Sequence, residues 1–230
     1  MLIESQLVDG GIQTLVLNDP ERRNALSRSM ITELSDRLAS ASGDAAVKVV
    51  ILAATGPVFC SGHDLKELTA ARAEGDRGSA FFTTIMRECS AMMLSILRCP
   101  KPVIAQVQGV ATAAGCQLVA SCDLAVAAAS ARFATPGVNL GLFCSTPMVA
   151  ISRNLSRKHT MEMLLTGEML DASAAAELGL VNRVVPDEDL ENCVLELAAR
   201  VASRSATAIR IGKEAYYRDR KSTRLNSSHQ

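Results

Sequence analysis

Two stretches of the 230-residue sequence hold residue types at spacings that chemistry can use. The first is Phe59-Cys60-Ser61-Gly62-His63-Asp64-Leu65-Lys66-Glu67-Leu68 and the second is Gln108-Gly109-Val110-Ala111-Thr112-Ala113-Ala114-Gly115-Cys116-Gln117. Each follows a β-branched run, Val47 to Ala53 or Val103 to Val107, and each precedes a helical pattern, so both read as strand-to-helix turns. Gly62 permits a tight backbone and Asp64 can cap the helix behind it. A helix N-terminus leaves backbone N–H groups unpaired, and these favour negative charge. Two such turns facing each other would polarise a carbonyl and stabilise the oxyanion of an enolate. Taken alone, a Gly-containing turn of this kind is equally an ordinary connection.

The elements that must position these turns follow from periodicity. Leu2 to Val8 and Ile12 to Leu17 alternate as strands and join at Asp9-Gly10-Gly11, a hairpin pattern. Ser27 can cap a helix with Met30, Ile31, Leu34 and Leu38 on one face, ended by Gly43-Asp44. Phe81, Phe82, Ile85, Met86, Cys89, Met92, Met93, Ile96 and Leu97 recur at helical spacing, and Cys99-Pro100 stops that helix. A small-residue helix over Ala113 to Ala120 and a strand over Asp123 to Ala127 follow. Further helices are expected near Thr160 to Leu165, after Asp171 and around Leu190 to Val201, with a strand over Val181 to Val185 between the last two. Strands alternating with helices place the chain in the α/β class with much of its sheet buried. Pro102 to Cys122 carries no charge and is long enough to span a bilayer. Its glutamines and glycines make it a buried strand followed by a buried helix instead, so no membrane span is expected.

Three groups of residues in this order are similar to the enoyl-CoA hydratase/isomerase (crotonase) family. They are Pro20 to Leu26 (PERRNAL), Ser61-Gly62-His63-Asp64-Leu65, and the Gly109 to Leu118 turn with Cys122-Asp123. Phe133-Ala134-Thr135-Pro136 and Ala176 to Val181 complete the resemblance, which covers about residues 3 to 217. Phe133 to Pro147 looks most like the branch called enoyl-CoA hydratase domain-containing protein 3. The resemblance implies a spiral of ββα units, assembled as a homotrimer or hexamer, acting in fatty-acid metabolism on an acyl-CoA thioester. Coenzyme A is then part of the substrate, and no separate cofactor is called for.

The resemblance also implies roles. The backbone N–H groups of His63 and Ala114 would form an oxyanion hole, and His63, Asp64, Leu65 and Lys66 would lie along the CoA moiety. Arg22 and Arg23 are further candidates for phosphate contact. A hydratase of the family uses two glutamates, whose positions here are Gln117 and Gly137, and isomerases often place a carboxylate where this chain has Ser145. All three slots lack a carboxylate. Gln can orient a water but cannot take its proton near neutral pH. The expected protein is therefore a hydratase- or isomerase-like enzyme of weak or altered activity. The alternatives are a catalytically depleted acyl-CoA-binding or regulatory protein, or a slow thioesterase. His63 is the only histidine near the inferred site, and its pKa suits proton transfer, although only its N–H is required. Cys144 lies beside the acyl pocket with no evident base and reads as packing, while Asp64 and Asp123 read as caps or turn residues.

Composition excludes other classes. The 24 basic and 24 acidic residues balance and aromatics are 3%, so nucleic-acid binding is not expected. Seven scattered cysteines form no C-x-x-C pair, and three histidines complete no zinc pattern, so no metal site is expected and the thiols suit a reducing compartment. No signal peptide opens the chain, so the expected compartment is cytoplasmic, or the mitochondrial matrix if the source is a eukaryote and a transit segment is missing. Residues 219–230 (DRKSTRLNSSHQ) break the pattern and resemble the translation of a sequencing adapter, with a native disordered tail as the alternative. The division expected is one acyl-CoA-binding domain over 1–218, short of C-terminal helices and prone to associate, and a non-native tail over 219–230. Without that tail the basic and acidic counts become 21 and 23, a formal charge of −2.

Overall fold

The computed structural model describes the backbone of residues 1–227 and the side chains of residues 1–218. β1 (Ile3–Val8) and β2 (Ile12–Leu17) form the expected antiparallel hairpin, in register from Ile3 opposite Leu17 to Val8 opposite Ile12. From β2 the sheet continues in parallel through β3 (Val49–Ala54), β5 (Val103–Val107), β7 (Leu124–Ala128) and β10 (Arg183–Val185). A second sheet orders β4 (Val58–Cys60), β6 (Val110–Thr112) and β8 (Arg132–Ala134) in parallel, with β9 (Leu170–Asp171) antiparallel at its edge. β3, β5 and β7 thus each feed a short strand of the second sheet and then helical structure, which is the spiral of ββα units expected. The second sheet was not read from sequence, because strands of two or three residues are too short to show alternation. β3 begins two residues later than expected: Val47 is still in a turn, its N–H donating to the Asp44 carbonyl.

Both faces of the large sheet are covered at its centre, as the period of two along β3 shows, while β1 past Ile3 is exposed. Val50 and Leu52 join the core formed with Met30, Ile31, Leu34 and Leu38 of α1 (Arg28–Gly43) and with Ile85, Met92, Met93 and Ile96 of α3 (Ser79–Arg98). Val49, Ile51 and Ala53 point the other way, onto Leu190, Val194, Leu197 and Ala198 of α8 (Leu190–Ala202). Ser27 caps α1 by accepting the Met30 N–H, as its residue type implied. α3 is the one helix among the described residues long and apolar enough to cross a membrane, and its Ile85, Cys89, Met92, Met93 and Ile96 sit in this core. Pro102 to Cys122 folds as β5, β6 and α4 (Ala114–Ser121) rather than as one span.

Asp123 does more than turn the chain. Its carboxylate accepts the Val103 N–H, the Lys213 ammonium at 2.6 Å and the Tyr217 hydroxyl at 2.9 Å, and Lys213 also donates to the carbonyls of Ile96 and Lys101. This cluster fastens α9 (Ala206–Ser227) to the ends of α3 and β5. The backbone of α9 runs past residue 218, where the pattern was expected to break; Arg, Lys and Leu all favour helix. The expectation of a non-native tail otherwise falls on side chains and on residues 228–230 that lie outside the described part.

Candidate active site

The first turn is held from behind by a fully buried asparagine. Asn24 donates from Nδ2 to the carbonyls of Thr55 (2.9 Å) and Val58 (2.8 Å) and accepts the Asp19 N–H on Oδ1. It thereby clamps the Pro20 to Leu26 loop onto the β3–β4 connection. The loop then pairs with the turn: Ser61 N–H donates to the Arg23 carbonyl and Leu26 N–H to the Gly62 carbonyl, at 2.7 Å. Asp64, buried, accepts the N–H groups of Lys66 and Glu67 and caps α2 (Leu65–Ala71) as expected.

The second turn leaves β6 and enters α4 through Ala113, which has φ +51° and ψ −119°. A non-Gly residue there stores on the order of 1–3 kcal/mol of strain. It is held in place because its N–H donates to the Ala134 carbonyl and its own carbonyl accepts the Gln117 N–H. Gly115 lets α4 approach β4: a Cβ there would lie 2.1 Å from the Cys60 carbonyl oxygen. The two turns touch. Thr112 Oγ1 donates to the Ser61 carbonyl at 3.1 Å, and a Cβ placed on Gly62 would lie 3.0 Å from Ala113 Cβ and 3.2 Å from Ala114 N. Among the described residues, neither the His63 N–H nor the Ala114 N–H has an acceptor. Two unpaired donors in adjoining turns, one at a helix N-terminus, can hold the oxygen of a polarised carbonyl.

The side chains around them are mostly apolar or neutral. His63 is half-buried, its Nε2 is enclosed, and neither ring nitrogen has a partner among the described residues. Burial lowers its pKa below the ordinary 6.5 and favours the neutral ring. Gln117 stands one turn beyond Ala114 on α4, 6% exposed, with Oε1 enclosed and unpartnered. Gly137 lies in a 3-10 turn over Pro136–Leu140, and the space its side chain would need is taken: a Cβ there would meet Cys144 Sγ at 2.8 Å and the Leu142 carbonyl at 3.0 Å. Burial raises the Cys144 pKa while the Gly137 N–H bonded to the sulfur opposes that rise. Cys116, next to Gln117, is pushed up to about 12 by burial and then by Cys144, so this corner closes on α4.

Ser145 opens α5 (Ser145–Ile151) with its hydroxyl turned back to the Phe143 carbonyl. Leu65 and Lys66 are exposed on α2, and Arg22 and Arg23 are exposed at the loop that pairs with the first turn. A cavity of about 630 Å³ lies at the other end of α4, between Arg98, Ala120, Asp123, Lys213 and Tyr217, and not at these turns. No group of His, Cys, Asp and Glu suited to a metal occurs among the described residues. Asn24, Thr112 and Ala113 were missed as positioning residues. Nothing in an alanine announces a positive φ, whereas Asn24 lies within the Pro20 to Leu26 segment that carries the family resemblance.

Comparison with known proteins places these features in context. The family profile described as enoyl-CoA hydratase/isomerase matches residues 8–230. Enoyl-CoA hydratase domain-containing protein 3, mitochondrial, of Rattus norvegicus is 48% identical over 208 residues, covering 90% of this chain and 68% of the rat protein. The crystal structure of an enoyl-CoA hydratase of Mycobacterium smegmatis superposes with a TM-score of 0.90 at 46% identity, covering 95% of this chain and 83% of that one. That of human enoyl coenzyme A hydratase domain-containing protein 3 gives 0.89 at 44%, covering 95% and 84%.

Proposed function

Since the chain belongs to the enoyl-CoA hydratase/isomerase family and has its crotonase fold, we propose that it binds an acyl-CoA thioester and polarises the carbonyl between the N–H groups of His63 and Ala114. The observation that carries this reading is the junction of the two turns, where both donors are unpaired and Gly62 lies against Ala113 and Ala114. Lys66, Arg22 and Arg23, all exposed beside the first turn, are placed to meet the phosphates of CoA, and Leu65 to cover its apolar arm. The rat relative bears the word mitochondrial in its name, which supports the matrix as the compartment for this chain if its source is a eukaryote.

Water addition by a pair of glutamates is not part of this function. Position 117 is an amide, and position 137 has neither a side chain nor room for one beside Cys144. Loss of one acid–base group typically lowers a rate by about 10²–10⁴. The chain is thus an acyl-CoA-binding member of its family with weak or altered chemistry in fatty-acid metabolism.

The test mixes purified protein with short, medium and long 2-enoyl and 3-enoyl thioesters, following absorbance and free thiol, with calorimetric titration of the same compounds. Micromolar binding with turnover below about 1 s⁻¹, the low end for ordinary enzymes, is the expected outcome. Faster turnover on any of them overturns the depleted-site reading, and absence of binding overturns the site assignment.

A further inference from the structure

We propose that the imidazole of His63 is a base of this site, its Nδ1 removing a proton from the carbon next to the thioester carbonyl while the His63 and Ala114 N–H groups hold the enolate oxygen. This rests on the acyl-CoA reading above and adds to it a reaction that needs neither glutamate.

The first support is the state of the ring. Nε2 is enclosed without a partner, so it exchanges no proton with a ligand; Nδ1, also without a partner among the described residues, is the ring nitrogen left to meet one. The second is covalent. Nδ1 is tied to the His63 main-chain nitrogen through Cα, Cβ and Cγ, so only the two side-chain rotations χ1 and χ2 separate it from the neighbourhood of an oxygen that this N–H holds. The acidic C–H of a thioester is on the carbon adjoining that same carbonyl. The third is that no carboxylate among the described residues competes for the proton. Asp64 is committed to the N–H groups of Lys66 and Glu67, Glu67 accepts the Arg28 N–H, and positions 117, 137 and 145 carry no carboxylate. Burial keeps the ring neutral, the form that accepts a proton.

The step balances without a co-reactant. The C2–H bond breaks and its electron pair forms the C1–C2 double bond, while the carbonyl π pair moves onto oxygen. The proton bonds to Nδ1, giving an imidazolium opposite the enolate. Return of a proton to C2 restores the thioester. In heavy water the imidazolium exchanges its proton with solvent, so deuterium is delivered to C2 and the net reaction is isotope exchange.

The experiment incubates the full chain with saturating butyryl-CoA in heavy water and reads deuterium at C2 by proton NMR, with calorimetric titration in parallel. His63→Ala keeps the backbone donor and removes the ring; His63→Gln keeps a polar side chain that cannot take the proton. The expected result is C2 exchange above the buffer rate, lowered by about 10²–10⁴ in both variants at saturation. Equal exchange in wild type and variants overturns the role of the ring. So does an absence of exchange in wild type that has bound butyryl-CoA. If butyryl-CoA does not bind at all, it is the acyl-CoA reading that has failed, and the proposal falls with it.

Discussion

An amide at position 117 donates and accepts hydrogen bonds but takes no proton near neutral pH, and this is one difference that the proposed function draws from a hydrating site. Position 137 makes the difference structural rather than merely chemical, because Cys144 Sγ lies 2.8 Å from where a Cβ would stand. Gly137→Glu is therefore expected to cost about 1–3 kcal/mol by overpacking. Cys144→Ala in the same chain should recover part of that loss, with a coupling of at least about 0.5 kcal/mol in a double-mutant cycle by urea denaturation. Additive effects would mean that the thiol does not hold the slot. The empty carboxylate positions were legible as residue types. What fills one of them was not, since a contact between residues 137 and 144 depends on how a loop with few repeating features closes. The two turns were legible from their glycines and the β-branched runs before them, whereas His63 and Ala114 were singled out in them by the family resemblance alone.

At the scale of elements, α4 does the positioning, and its strained entry through Ala113 is the feature most open to test. Glycine adopts φ > 0 without penalty. Ala113→Gly is expected to raise stability by about 1 kcal/mol net of the added freedom of the unfolded chain. For a chain of this size that is a rise in Tm of about 2–4 °C, read by calorimetry. An unchanged or lower Tm would show that the surrounding hydrogen bonds leave no strain to relieve. The hairpin, α1, α3 and α8 were legible from period and caps, because each buries a long face. The second sheet was not: β4, β6 and β8 have three residues each, and their pairing is dictated by neighbours in the spiral rather than by local pattern. The clamp of Lys213 and Tyr217 on Asp123 likewise joins residues about ninety positions apart, beyond any local signal.

For the whole molecule, the large sheet, buried on both faces at its centre, is the floor, and the smaller sheet brings the ends of β4 and β6 together so that two helices start side by side. The two unpaired N–H groups are main-chain donors held by the fold, and the motifs that carry the family resemblance include the turns that present them. The central claim is that a thioester carbonyl is polarised there. The direct measurement is the carbon-13 chemical shift of butyryl-CoA labelled at the carbonyl, free and bound to the full chain. Two hydrogen bonds from unpaired N–H groups draw electron density to the oxygen, so the bound resonance is expected downfield of the free one. A bound ligand with an unshifted carbonyl would contradict the account.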